Sequence, residues 1–158
     1  MVFIVRKVTA DDLDVLFRIE AECFGEEAFS KDQLVYCLSA TDFVALAASD
    51  YGEVVGFVVG SVDRLVEKGV GHVYTLDVKK DYRKRGIGGR LLEALESALV
   101  EKGINAFVLE VRVNNVAARR LYIKHGYKPV ARLRDYYDVG VDAVRLVKTA
   151  SATRTAFV

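Results

Sequence analysis

The sequence predicts a single domain of the α/β (α+β) class: a mixed, mostly antiparallel sheet of about seven strands with about four helices and one parallel crossover. Three observations carry that prediction. Strand-length runs of β-branched and aromatic residues recur between turns that contain Gly or Asp. Helical apolar periodicity is confined to a few segments. One amphipathic helix, at about 88–102, lies directly between strand runs at 72–78 and 106–112, and a strand–helix–strand unit of that length joins parallel neighbours in a sheet otherwise built from hairpins.

Phe3 to Val8 forms the first strand. Thr9 with Asp12 has capping-box spacing and opens a helix over about 11–22, on which Leu13, Leu16, Phe17 and Glu20 divide an apolar stripe from a charged face. Gly25-Glu26-Glu27 breaks it, and Ser30 with Gln33 repeats the spacing to start a short second helix ending near Leu38. The runs Phe43–Ser49 and Val54–Val62, separated by Asp50-Tyr51-Gly52-Glu53, make an antiparallel hairpin. A fourth strand, His72–Val78, leads to the helix at 88–102, where Leu91, Leu92, Leu95 and Leu99 share one side and Gly103 ends the run. Ala106–Arg112 is a fifth strand, Asn115–Lys124 a helix stopped by Gly126, and Lys128–Arg134 and Val141–Val147 the last two strands. Residues 1–148 thus make one domain, and 149–158, small and polar without periodicity, read as a flexible C-terminal tail.

A chain of 158 residues buries roughly 70% of its unfolded surface without disulfides or metal. Lys+Arg 23 against Asp+Glu 22 leaves a net charge of +1, so no global field directs it to nucleic acid or to an anionic membrane. The apolar Met1–Val5 is broken by Arg6-Lys7 well short of a signal or spanning segment, which reads as a cytoplasmic protein. Cys23 and Cys37 lack metal or redox spacing, and His72 and His125 are the only histidines, so no metal site is expected. Both cysteines read as small buried hydrophobes.

The densest chemical signal is Asp81-Tyr82-Arg83-Lys84-Arg85-Gly86-Ile87-Gly88-Gly89-Arg90-Leu91-Leu92, a basic, glycine-rich turn between a strand and a helix. A helix start offers unpaired N–H donors and partial positive charge, and glycines let a phosphate approach them, so the segment suits a pyrophosphate. A dinucleotide fingerprint fails at Leu91, and no Gly-Lys-Ser/Thr run exists for a triphosphate loop. From this stretch alone, a solvated basic turn stays open as the alternative.

Arg83-x-x-Gly86-x-Gly88, preceded by Tyr74-Thr75-Leu76-Asp77-Val78, resembles the acetyl-CoA signature of the GCN5-related N-acetyltransferase (GNAT) superfamily. Leu109-Glu110-Val111-Arg112-x-x-Asn115-x-x-Ala118-x-x-Leu121-Tyr122-x-Lys124-x-Gly126-Tyr127 resembles the corresponding segment of its RimI-like N-terminal acetyltransferases, which include archaeal relatives. The likeness continues through Arg134-x-Tyr136-Tyr137, Gly140 and Asp142-Ala143, and so spans residues 3–148.

The resemblance implies a GNAT fold with the crossover at the acetyl-CoA site, and an acetyl-CoA-dependent N-alpha-acetyltransferase that releases CoA. It implies protein or peptide N-termini as acceptors, ribosomal or ribosome-associated proteins among them, with neither nucleic acid nor membrane as partner. It places the pyrophosphate on the amides of about Arg85 to Arg90, within a cofactor-binding turn of Arg83, Lys84, Arg85, Gly86, Ile87, Gly88, Gly89 and Arg90. Leu76, Asp77 and Val78 would lie along the pantetheine arm, the backbone of Leu76 and Val78 pairing with it like an added strand. Asn115 and Ala118 would contact the same ligand, Tyr122 would sit at the sulfur, and Glu110 would face the acceptor amine. Glu22, Phe24, Tyr136 and Tyr137 would flank the peptide. Gly25-Glu26-Glu27-Ala28 departs from the Pro-Trp-Ser-type element of many relatives, which bears on the preferred first residue.

Acyl transfer to an amine needs a neutral nucleophile, a polarised carbonyl and a proton for the departing thiolate. An α-amine with a pKa near 7.7–8.0 is roughly a tenth neutral at pH 7, against about 0.04% for a lysine. Glu110 is the expected base and Tyr122 the expected acid, with a backbone N–H near Val78 on the carbonyl oxygen. Structural roles stand beside these. Glu110 would be a solvent-facing residue of an alternating strand, Tyr122 a core residue, Asn115 an N-cap, and His125 a partner of its helix end. His72 is the alternative base. The alternative functions are a lysine or polyamine-type acetyltransferase and a catalytically weak acetyl-CoA-binding module.

Overall fold

The computed structural model describes residues 3–64 and 69–150. In chain order its elements are β1 (Ile4–Lys7), α1 (Leu13–Phe24), α2 (Lys31–Ser39), β2 (Phe43–Asp50), β3 (Glu53–Asp63), β4 (Val70–Val78), α3 (Ile87–Glu101), β5 (Ala106–Arg112), α4 (Val116–Lys124), β6 (Lys128–Asp138) and β7 (Val141–Thr149). The strands form one sheet in the order β1-β2-β3-β4-β5-β7-β6. Among the described residues only β4–β5 is parallel, and that crossover runs through α3 as expected.

Both capping boxes form, at Thr9/Asp12 and at Ser30/Gln33. The first closes a 3-10 turn, Ala10–Asp12, that leads into α1, and Arg6 grips the Asp12 carboxylate at 2.8 and 2.9 Å. Two ends depart from expectation. β6 continues past Arg134 to Asp138, with an irregular register between Leu133 and Asp138, so Tyr136 and Tyr137 belong to the strand. β7 reaches Thr149 and the Ala150 N–H donates to the Asn105 carbonyl at 2.6 Å. The rest of the expected tail, 151–158, lies outside the described residues.

Both sheet faces are covered, and that is why β2 and β3 read as continuous apolar runs. On one face Leu91, Leu92, Leu95 and Leu99 of α3 are wholly buried with Phe107, Leu109 and Leu146. On the other, Leu16 and Ile19 of α1 and Leu34 of α2 pack on Ala47, Phe57 and Val59. Each such large side chain contributes about 1.5–3 kcal/mol by leaving water.

A bulge in β4 decides what the second face presents. Val59 pairs with Thr75 and Gly60 with Val73, which leaves Tyr74 as an extra residue. Simple alternation would put His72, Tyr74 and Leu76 on one face. With the bulge, His72 pairs with Ser61 and Thr75 with Val59, so His72, Thr75 and Asp77 share the face covered by α1 and α2. Among the described residues no helix is long and apolar enough to cross a membrane.

Candidate active site

The ladder between β4 and β5 holds only Gly71, His72 and Val73 against Phe107, Val108 and Leu109. Beyond it β4 runs to Val78 beside β3 while β5 continues beside β7, so the parallel strands open into a cleft. Leu76 and Val78, both half-buried, are the last outward-leading residues of β4 on its α3 side. Past Val78 the chain makes a 3-10 turn, Lys80–Tyr82, and winds into α3 through Lys84 at φ 63° and Gly86 at φ 82°. Only glycine adopts the latter conformation without strain. Gly86 is the N-cap of α3, no side chain caps the helix start, and a Cβ added there would meet nothing within 4 Å. An uncapped start of this kind leaves backbone donors for an anion.

Gly89 answers to packing instead. A Cβ on it would lie 2.8 Å from His125 Nε2, so its absence lets α4 close on α3. His125 also donates from Nδ1 to the Leu121 carbonyl at 2.9 Å, the helix-end role read from the sequence. Asn115 accepts the Ala118 N–H at 3.2 Å, which makes it the N-cap of α4. The flanking arginines are exposed. Arg83 Nε donates to the Val78 carbonyl at 3.0 Å, Arg85 lies over the Tyr82 ring at 5.1 Å, and Arg90 over Phe3 at 5.3 Å.

The Cys23 thiol lies 3.6 Å from the Val78 carbonyl and 3.4 Å from the Arg83 guanidinium, and it is half-buried rather than in the core. Burial pushes it up to about 11, so it stays a thiol. Tyr122 is buried with its ring edge-on to Tyr127 at 5.8 Å. Burial above all holds its phenol well above the usual range, so it keeps its proton. Asp77 itself is fully buried among side chains of the α1 face, which leaves only its backbone to a ligand in the cleft.

Glu110 sits on the far side of the cleft with its side chain only 6% exposed, not facing solvent as strand alternation suggested. His72 Nε2 donates to its Oε1 at 2.7 Å, Arg145 Nε to its Oε2 at 2.9 Å, and the Tyr136 hydroxyl reaches Oε1 at 3.4 Å. Burial alone would raise this carboxyl; the bonds from His72 and Arg145 outweigh it and hold Glu110 below its usual value. An ionised carboxylate only accepts, so His72 carries a hydrogen on Nε2 and turns that nitrogen toward Glu110. The His72 ring stacks on Tyr74 at 4.3 Å, and Tyr74 stacks on Phe43 at 5.4 Å. Tyr74 and Phe43, without His72, wall a cavity of about 400 Å³ with Phe29, Tyr36 and Cys37.

The residues expected to flank an acceptor separate into two groups. Tyr136 reaches Glu110, and the Tyr137 ring stands edge-on to the Tyr136 ring at 5.0 Å, the Tyr137 phenol pushed by burial up to about 12. Glu27 pairs with Arg112 at 3.0 Å and so ties the turn after α1 to β5. Glu22 instead accepts the Lys80 N–H at 3.3 Å, which puts it at the exit of β4 and away from Glu110. Phe24 is the half-buried last residue of α1. Three residues here were not singled out from sequence: Arg145, Glu20 and Thr75. Arg145 had a signal, as the one basic residue inside the apolar run 143–147. Glu20 had a weaker one, as an acid on the edge of the apolar stripe of α1.

A sheet whose single parallel pair splays beside a glycine-started helix is an acyltransferase architecture. The model of the Acetyltransferase (GNAT) family matches residues 13–127, and the chain belongs to that family. It is 39% identical over 146 residues to an uncharacterized N-acetyltransferase of Methanocaldococcus jannaschii, covering 92% of this chain and 90% of the other. It is 33% identical over 150 residues to the N-alpha-acetyltransferase of Sulfurisphaera tokodaii, covering 88% of each. Among solved structures, Arabidopsis thaliana NAA60 in complex with acetyl-CoA has the same fold, with a TM-score of 0.81 at 22% identity over 94% of this chain and 98% of that one.

Proposed function

We propose that this chain is an acetyl-CoA-dependent N-alpha-acetyltransferase that moves an acetyl group directly onto the free amino terminus of a protein or peptide. The observation that carries the reading is the partly buried Glu110–His72 pair at 2.7 Å on the acceptor side of the splayed strands. The N-alpha-acetyltransferase of S. tokodaii, at 33% identity, supports the choice of acceptor.

The uncapped start of α3 and the arginines around it suit the pyrophosphate of acetyl-CoA, and the backbone of Leu76 and Val78 suits its arm. Bound there, that ligand supplies an acetyl thioester. Glu110 and His72 act as a unit on the amine. His72 Nδ1 takes the proton, directly or through a water, while Glu110 fixes the ring through Nε2 and stabilises the imidazolium. Held low by its donors, Glu110 is a weak base alone, and this favours an acceptor that is already partly neutral. An α-amine meets that demand at pH 7 far better than a lysine does. Tyr122, protonated at any ordinary pH, is suited to donate toward the leaving sulfur, and a backbone N–H near Val78 to polarise the acetyl carbonyl.

The test is mass spectrometry of a mixed library of peptides with varied free N-termini and internal lysines, incubated with the protein and acetyl-CoA. One acetyl group at α-amines is the expected product. Acetyl on lysine alone, or none despite tight CoA binding, contradicts the reading.

A further inference from the structure

Thr75 stands between two carboxyl groups. Its hydroxyl oxygen lies 2.8 Å from Glu20 Oε1 and 2.6 Å from Asp77 Oδ1, and all three residues are buried. A threonine hydroxyl has one hydrogen and an ionised carboxylate has none, so both contacts cannot be hydrogen bonds if both acids are ionised. One carboxyl must carry a proton and donate it to Thr75. The surroundings decide which. Glu20 Oε2 also accepts the Phe29 N–H at 3.1 Å, so an ionised Glu20 has a donor on each oxygen. Asp77 is 0% exposed, and its Oδ2 is buried without a partner. Ionised, it would hold charge on an atom that nothing solvates.

The groups facing Asp77 agree. Burial and the neighbouring Glu20 hold its proton, against the opposing pull of Thr75 and Arg83.

We propose that Glu20, Thr75 and Asp77 form a proton-sharing positioning group: neutral Asp77 donates to Thr75, Thr75 donates to ionised Glu20, and Glu20 holds the Phe29 turn against β4. The chain of bonds joins the strand whose backbone borders the cleft to the turn that supplies Phe29 to the aromatic cavity. Loosening it displaces that wall and leaves the start of α3 alone. A neutral Asp77 also keeps negative charge away from the Tyr122 hydroxyl. The effect on acetyl transfer rests on the function proposed above; the assignment of the proton does not.

Infrared spectra of the full chain carrying 13C-carboxyl aspartate, taken at neutral pH, test the proton directly. A label-sensitive band of a protonated carboxyl is expected in the wild type and is lost in Asp77→Asn. Its absence from the wild type, or its survival in Asp77→Asn, overturns the assignment. Should Asp77→Asn fail to fold, Thr75→Val serves: losing the hydroxyl moves the band to higher frequency, and an unmoved band overturns the bridge. For the positioning role, Glu20→Gln leaves one oxygen acceptor where two served, so either the Phe29 N–H or the Thr75 hydroxyl meets an NH2 group and the tie between them is broken. The acceptor KM then rises about tenfold, the order of one hydrogen bond to a charged group, with the acetyl-CoA dissociation constant unchanged. An equal rise in both constants, or in neither, overturns it. If the wild type acetylates no α-amine, the proposed function fails while the infrared result stands.

Discussion

The two ends of the cleft are made of different material. At the α3 end the protein offers backbone: amides behind Gly86, a turn set by positive φ angles, and arginines that remain exposed. At the other end it offers side chains gathered from four strands, Glu110 of β5, His72 of β4, Arg145 of β7 and Tyr136 of β6. A backbone site is insensitive to the loss of a side chain and sensitive to an added Cβ. A side-chain cluster depends on each member. Substitutions at the first end should therefore act on affinity and stability, and those at the second on rate.

The largest effect is expected from Glu110→Gln. It removes the anion that orients His72, and kcat for acetyl transfer to an α-amine should fall by about 10²–10⁴. Calorimetry should find acetyl-CoA binding unchanged; a parallel loss of affinity would erase the distinction between the ends. Next is Gly89→Val, which drives a side chain into the His125 ring and should cost about 1–3 kcal/mol in urea denaturation. It should weaken acetyl-CoA binding as well, because it displaces the first turn of α3.

The same contrast explains what could be read in the sequence. Backbone devices have local spacing. The Gly86-x-Gly88 turn, both capping boxes and the limits of β5 stand in the residues themselves and recur in the structure. The side-chain end has no such spacing. Strand alternation makes Glu110 look solvent-facing, and the partners that gather on it, His72, Arg145 and Tyr136, are 38, 35 and 26 residues away. The bulge at Tyr74 changes the phase of β4, so nothing local shows that His72 and Thr75 face the same way. Glu20 reads as a boundary residue because its partner Thr75 is 55 residues further on.

Two smaller effects bound the comparison from outside the cleft. Tyr127→Phe removes a buried hydroxyl that donates to Glu96 at 2.8 Å, where Lys148 also reaches the same carboxylate at 2.7 Å. It should cost about 1–2 kcal/mol of stability and leave kcat unchanged, which shows that lost rate does not follow from lost stability. The least is a pH effect far from both ends. Hydrogen bonds from Arg6, opposed by burial and joined by the Thr9 N–H, pull Asp12 down to about 2. Its folded pKa is depressed, so its contribution is complete above the unfolded value near 3.9 and is lost as pH falls toward 2. Partial exposure of Arg6 limits this to about 1 kcal/mol. Arg6→Gln should flatten that part of the stability–pH curve and leave the rate at neutral pH unaltered.

The most direct test of a backbone-made cofactor end facing a side-chain-made acceptor end is a crystal structure with a bisubstrate conjugate, a short peptide joined through its α-nitrogen and an acetyl bridge to CoA. The expected result has the pyrophosphate on the amides at the start of α3 and the α-nitrogen within one hydrogen bond, or one water, of His72 or Glu110. An α-nitrogen remote from both, with no water between, would contradict it.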